Sequence, residues 1–371
     1  MTIPFVDLRI ESERLRREIS AAIEEAVEDC QFILGHHVPS FEKAFADYCG
    51  ADECVSVGSG TEALHLTLRA LGVGPGDEVI TAANTFIATA LAISYTGASP
   101  VLVDANADDY TIAAELIEEA ITARTKVILP VHLYGQPADL PAIMQVAERH
   151  GLHVVQDACQ AHGSLIDGKP LAGFGTAACY SFYPSKNLGG FGDGGAVVTN
   201  NEELADRLRM LRNYGQRSKN DYAMFGFNSR LDTLQAAILE AKLPFLESAN
   251  ERRRAAAARY RELLESCEVV LPAERSGDKH VYHLFVVRHP RRDELMAHLQ
   301  QAGVQCGIHY PTPIHEIEHF RGARTVPEGA PLSSQLAKQI LSLPIYPEIT
   351  DESLQFVSEA IATFSLVESI F

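Results

Sequence analysis

The stretch YSFYPSKNLGGFGDGG, Tyr180 to Gly195, sets Lys186 between an apolar strand pattern and five glycines. Lysine usually belongs on a solvated face. An amine held in such a loop could bind phosphate, form a Schiff base with a carbonyl, or stand in water. Nucleophilic work needs the unprotonated amine, whose reference pKa of about 10.4 falls on burial or beside positive charge. Other residues carry complementary chemistry. Asp157 closes the apolar strand pattern LHVVQDA, where an ionised carboxylate is costly unless it meets a cation; its plainer reading is a cap on the next turn. VGSGTEAL puts Gly60 and Thr61 at a strand-to-helix turn, a ready phosphate site; Ser59 and Glu62 there also fit a capping box with no ligand at all. Phe86, expected at the end of the neighbouring strand, could lie against a flat ring or simply be core. A carbonyl cofactor of the pyridoxal phosphate type would need all four: amine, acid for the pyridine nitrogen, phosphate cradle and apolar wall.

Two other motifs compete. Gly58, Gly60 and Ala63 match G-x-G-x-x-A, but a dinucleotide site wants an acid at the end of the next strand. Asp77 and Glu78 stand at its beginning and TAANTF at its end, so a different anion is expected. HEIEH, His315 to His319, satisfies the H-E-x-x-H zinc peptidase pattern. Pro311, Pro313 and Gly322 leave little room for the helix that pattern requires. A solvated turn without metal is the expectation.

The elements that must position these groups alternate from Glu53 to about Asn200. ECVSVGS, EVITAANTF, SPVLVDA, TKVILPVHLYG, LHVVQDA and TAACYSFYP carry strand patterns; GTEALHLTLRALG, FIATALAISYTG, AAELIEEAIT and DLPAIMQVAERHG carry helical ones. Near-continuous apolar strands of this kind belong to a mostly parallel sheet buried on both faces. A long helical region from Ser229 to about Leu264 should break at Pro244. Beyond it, strands (YHLFVVRH, VQCGIHY) mix with helices (RRDELMAHLQQAG, DESLQFVSEAIATF). The expected fold is α/β, with a large unit over 1–245 and a smaller α+β unit over 246–371.

The 371 residues, 46% hydrophobic and 22% charged, suit an ordinary globular chain. A formal net charge of -18 argues against nucleic acid or an anionic membrane as partner. Seven scattered cysteines without a CxxC pair suit reduced thiols. With no leader-like or membrane-spanning apolar run, a cytoplasmic location is expected.

The ordered motifs SGTEAL, NTFIATA, QDACQAHG, SFYPSKNLGGFGDGG and GFNSRLDTLQAAIL resemble those of the DegT/StrS-type nucleotide-sugar aminotransferases, from about Phe5 to Tyr346. The resemblance implies the aspartate-aminotransferase fold (fold type I) and pyridoxal 5'-phosphate, passing through pyridoxamine 5'-phosphate in turnover. It implies that Lys186 holds the cofactor as an aldimine, Asp157 pairs with the ring nitrogen, Gln160 bonds the ring hydroxyl and Phe86 stacks on the ring. Gly60, Thr61 and Ser181 would hold the phosphate, with Asn228 reaching it from the neighbouring subunit of a homodimer. Tyr183, His309 and Tyr310 would face the sugar, and Lys219 the nucleotide diphosphate; the chain's own support for the last is that RNYGQRSK gathers Arg212, Arg217 and Lys219. The form around the lysine is most similar to the branch that aminates C3 of 3-keto-6-deoxy sugars, with L-glutamate as donor. Amination at C4, a dehydratase and a non-catalytic regulator on the same fold are the alternatives. Gln156, Cys159 and a tryptophan-free QFILG depart from the usual pattern, and QFILG is expected near the substrate pocket.

Overall fold

Successive strand residues point to opposite faces of a sheet, and in this chain both faces are covered. Cys54, Ile80, Ile128, Val154, Ala178, Tyr180 and Val198 pack in one core. Their strand neighbours Val55, Val79, Val127, Val155, Cys179 and Val197 pack in another. The computed structural model, which describes residues 2–368, arranges these strands in one eight-stranded sheet. Its order is Glu53–Val57, Gly195–Thr199, Ala177–Ser181, His153–Asp157, Thr125–Leu129, Glu78–Ala82, Ser99–Val103, Thr325–Val326. Gly195–Thr199 runs antiparallel to both its neighbours; every other pairing is parallel. The parallel strands therefore end on a common edge, where ligands of open α/β sheets bind.

Helices close the faces. Gly60–Ala70 is capped by Ser59, whose side chain accepts from Glu62 N, and Leu140–His150 by Asp139, whose side chain accepts from Ala142 N. Pro244 breaks the long helical region as expected: Thr233–Lys242 gives way to a 3-10 turn, Leu243–Phe245, before Leu246–Leu264. A further core forms where Tyr260 and Leu264 meet Phe285, Val287, Leu341, Leu343 and Val357, with Ile3 from the opposite end of the chain. Phe285–Arg288 pairs antiparallel with Ile340–Leu343 there.

Three local expectations need correction. AAELIEEAIT forms only a 3-10 turn, Ala114–Leu116, and the short helix Ile117–Ala120; Ile117 and Ala120 are buried in the core, and Ala114, Leu116 and Ile121 pack against it half-buried. VQCGIHY forms no strand; it makes isolated bridges, Val304 with Ile3 and Gly307 with Ser342. The strand before Lys186 ends at Ser181, short of Tyr183, and that before Phe86 ends at Ala82, so Phe86 instead precedes the helix Ile87–Tyr95 as its N-cap.

Candidate active site

At the carboxyl edge of the sheet lies a cavity of about 360 Å³ whose walls include Gly60, Thr61, Phe86, Asp157, Gln160, Ser181, Tyr183, Lys186, His309 and Tyr310. Residues spread across the sequence from Gly60 to Tyr310 thus share one space. Each arrives on a defined support. The strand His153–Asp157 delivers Asp157, which is buried. Its Oδ2 accepts from the Thr89 hydroxyl at 2.8 Å and its Oδ1 from the Cys159 amide at 3.2 Å. Thr89 is fixed in turn by the Thr85 hydroxyl, 2.9 Å away. Among the described residues no cation pairs with Asp157, so the carboxylate faces the cavity with capacity to spare.

Lys186 follows a tight turn in which its own amide donates to Tyr183 O at 2.8 Å and Gly190 N donates to Phe182 O at 2.8 Å. Burial pushes the Lys186 pKa below its usual value, against the opposing pull of Cys159 and Asp157. Burial likewise holds the Cys159 thiol protonated, well above the usual range.

Gly60 explains why the phosphate-like turn sits where it does. A Cβ there would lie 2.6 Å from Ser181 Cβ and 2.8 Å from Cys159 Sγ. Only glycine lets the helix N-terminus, with its free amides, come this close to Ser181. Gln160 is locked by Tyr134 N, which donates to its Oε1 at 2.6 Å, while its Nε2 donates to Tyr310 Oη at 3.1 Å. Phe86 and Tyr310 rings lie 5.1 Å apart, and Tyr183 is exposed at the rim. His309 stacks on Phe5 at 5.5 Å, its Nδ1 2.8 Å from Ser342 Oγ. Burial, then the nearby Lys186, pull its pKa down to about 4.

Two expected site residues stand apart. Lys219 and Asn228 are exposed and do not line the cavity of their own chain; Asn228 bridges Asn213 instead. The basic cluster around Lys219 also needs correction. Arg212 is buried, tied to Glu42 and to Ser56 O, because a guanidinium this deep must be paired. It serves the core; Arg217 is an exposed residue 3.6 Å from Asp221. QFILG likewise leaves Phe32, Ile33 and Leu34 exposed and does not line the cavity. HEIEH is two 3-10 turns, Ile314–Glu316 and Glu318–Phe320, with extended Ile317 between them, and His315 Nε2 lies 3.1 Å from Ser334 Oγ. The helix that a zinc peptidase motif requires is not formed there. Conversely, the cavity includes residues with no signal of their own in the sequence: His283, Ser185 and Asp193, with Thr89 behind Asp157. NTFIATA contains Thr89, and FGDGG contains Asp193, so the motifs held both without marking their roles.

A profile of the DegT/DnrJ/EryC1/StrS aminotransferase family matches residues 13–362. The chain belongs to that family. It is 49% identical over 349 residues to the dTDP-3-amino-3,4,6-trideoxy-alpha-D-glucose transaminase of Streptomyces venezuelae, covering 94% of this chain and 92% of the relative. The solved structure of S. venezuelae DesV in complex with a ketimine intermediate superposes with a TM-score of 0.96 at 46% identity, covering 98% of each chain. NtdA from Bacillus subtilis, solved with bound cofactor PMP, gives a TM-score of 0.90 at 34% identity, over 99% of this chain and 85% of that one. The protein is an aminotransferase of the α/β, fold type I class, and pyridoxal phosphate is the cofactor this family uses. The cavity fits that group: it offers an enclosed amine, a buried carboxylate without a cation and a helix N-terminus stripped of a Cβ.

Proposed function

We propose that the protein transfers the amino group of L-glutamate to the C3 keto carbon of a nucleotide-linked 3-keto-6-deoxy sugar. The observation that carries this reading is the enclosure of Lys186 and the cation-free Asp157 in one cavity with a phosphate-ready turn. The likeness to a transaminase named for a dTDP-3-amino sugar supports the choice of sugar and of carbon. The net exchange balances: glutamate and keto sugar give 2-oxoglutarate and amino sugar.

Pyridoxal phosphate, when bound, supplies an electron sink and a carrier for the nitrogen. Lys186 Nζ would attach to it and, once released, take the proton from the α-carbon of the donor; burial lowers that amine's pKa and so favours the neutral form that can accept the proton. Asp157 would hold the proton on the pyridine nitrogen, its two oxygens aimed by Thr89 and the Cys159 amide. Gln160 would bond the ring hydroxyl and Phe86 cover the ring. Gly60, Thr61 and Ser181 would hold the phosphate. Tyr183, His309 and Tyr310 would bind the sugar at the mouth and exclude water. Lys219 and Asn228 lie outside their own chain's cavity, and the reading assigns them to a neighbouring site: Asn228 to the partner's phosphate, Lys219 to the nucleotide diphosphate. A homodimer is therefore part of the proposal. Exposed Tyr222 and Phe225, the latter 80% exposed, favour a covered face there. A cytoplasmic location is proposed from the seven free cysteines; no helix among the described residues is long and apolar enough to cross a membrane.

A half-reaction tests the reading. Cofactor-loaded protein should lose its visible absorption band on addition of L-glutamate and release 2-oxoglutarate, whereas Lys186→Ala should bind cofactor and do neither. Normal turnover by Lys186→Ala would overturn the assignment.

A further inference from the structure

Away from the cofactor cavity, three helices bring together a second group of side chains. Glu25 rides on Arg16–Glu28 and Asp29 caps that helix; His36 precedes and His37 begins His37–Cys49; Glu240 lies on Thr233–Lys242. One donor atom each from Glu25, His36 and His37 lies within 4.8 Å of the other two. With Ser40 and Glu240 these residues line a cavity of about 320 Å³. Each imidazole is held at Nδ1 by a carboxylate. His36 Nδ1 lies 2.7 Å from Asp29 Oδ2, and His37 Nδ1 lies 3.1 Å from Glu240 Oε2, on a carboxylate whose Oε1 accepts from the Ser40 hydroxyl. His36 Nε2 lies 3.4 Å from Glu25 Oε1; His37 Nε2 is closed off from solvent and has no hydrogen-bond partner. A carboxylate at Nδ1 fixes the proton there and leaves the Nε2 lone pair outward, the arrangement that metal-bound histidines use. A buried ring nitrogen without a partner carries a desolvation cost, which a bound cation would remove.

We propose that Glu25, His36 and His37 form a site for a divalent transition-metal ion of the zinc type. The ligands are the Glu25 carboxylate and both Nε2 atoms, with water completing the coordination. Asp29 and Glu240 are positioning residues that orient the rings. The site joins three helices, and one of them supports the loop behind Lys186: Gln235 Oε1 accepts from Phe191 N at 2.7 Å, and Lys242 Nζ donates to Gly189 O at 2.5 Å. The ion thus braces the platform of the active-site loop without touching the substrate.

The test uses the full, cofactor-loaded chain, freed of metal by a chelator and titrated with Co²⁺, whose visible ligand-field bands report its ligands. The expected result is about one equivalent bound per chain with nitrogen and oxygen ligation, displaced by Zn²⁺. Glu25→Gln and His36→Gln should abolish the bands or weaken binding at least tenfold, and Asp29→Asn should weaken it by about 10- to 100-fold. All three side chains are about half exposed, so the variants should fold, which the glutamate half-reaction checks. No binding to the wild type, sulfur ligation, or unchanged bands in Glu25→Gln and His36→Gln would overturn the proposal.

Discussion

Asp157 matters for a contact that it lacks among the described residues. Its oxygens receive two neutral donors and no cation, a state that a protonated ring nitrogen would complete. Asp157→Asn keeps an oxygen for one of those donors and should leave the fold near wild type. It should nevertheless lower kcat by about two to four decades, the roughly 3 to 5 kcal/mol expected when a buried cation loses its partner. Steady-state rates beside urea midpoints separate the two effects. Lys186 and Asp157 were legible in the sequence because each breaks the habit of its surroundings: a lysine among glycines, an acid at the end of an apolar strand. Thr89 and His283 were not, because a threonine inside a helix and a histidine near a strand are ordinary until folding brings them to the site. Arg212 misled for the converse reason, since its nearness in sequence to Arg217 and Lys219 says nothing of the turn that buries it against Glu42.

At the scale of elements, close approach between backbones shapes the site. A Cβ on Gly195 would lie 2.4 Å from Ser59 C and 2.8 Å from Gly60 N, so the antiparallel strand can pass the anion-binding turn only as glycine. Gly195→Ala should cost about 1 to 3 kcal/mol by overpacking and weaken cofactor binding as the turn shifts; denaturant unfolding and cofactor titration check both. The neutral histidines packed beside the sheet make a second prediction. His132 Nδ1 accepts from Ala138 N at 2.9 Å and its Nε2 lies 2.9 Å from Gln156 Oε1, so a second proton would break the first bond. Burial lowers its pKa to about 4 and that of His162 to about 3. Below the unfolded value of about 6.5 the unfolded chain binds these protons first, so stability should be intact above that pH. It should fall as pH drops toward 4, with a slope of roughly 1.4 kcal/mol per unit for each group. Urea midpoints of the cofactor-free protein measure this; flat midpoints across that window would contradict it. The sheet strands and the break at Pro244 were readable because apolar runs and proline act locally. The weak helix at Ile117–Ala120 and the bridges of Val304 and Gly307 were not, being set by what packs against them.

For the whole molecule, mixed dimers can test whether Asn228 acts in a neighbouring subunit's site. If Asn228 serves the neighbouring subunit, Lys186→Ala and Asn228→Ala chains, each impaired alone, should regain activity when mixed and allowed to exchange, because one site of each mixed dimer then has both residues. No recovery would place Asn228 in its own chain's site or outside catalysis. The sequence conveyed the family and the sheet, and its continuous motifs named residues that share the cavity; a contact between subunits is not written in the motifs of one chain. Amination at C3 is the most specific part of the proposed reaction. It is tested most directly by supplying the protein with a dTDP-linked 3-keto-6-deoxy sugar and ¹⁵N-glutamate and locating the label in the product by NMR. Nitrogen on C3 is the expected result; nitrogen on C4, or no labelled sugar from protein whose visible band glutamate bleaches, would contradict amination at C3.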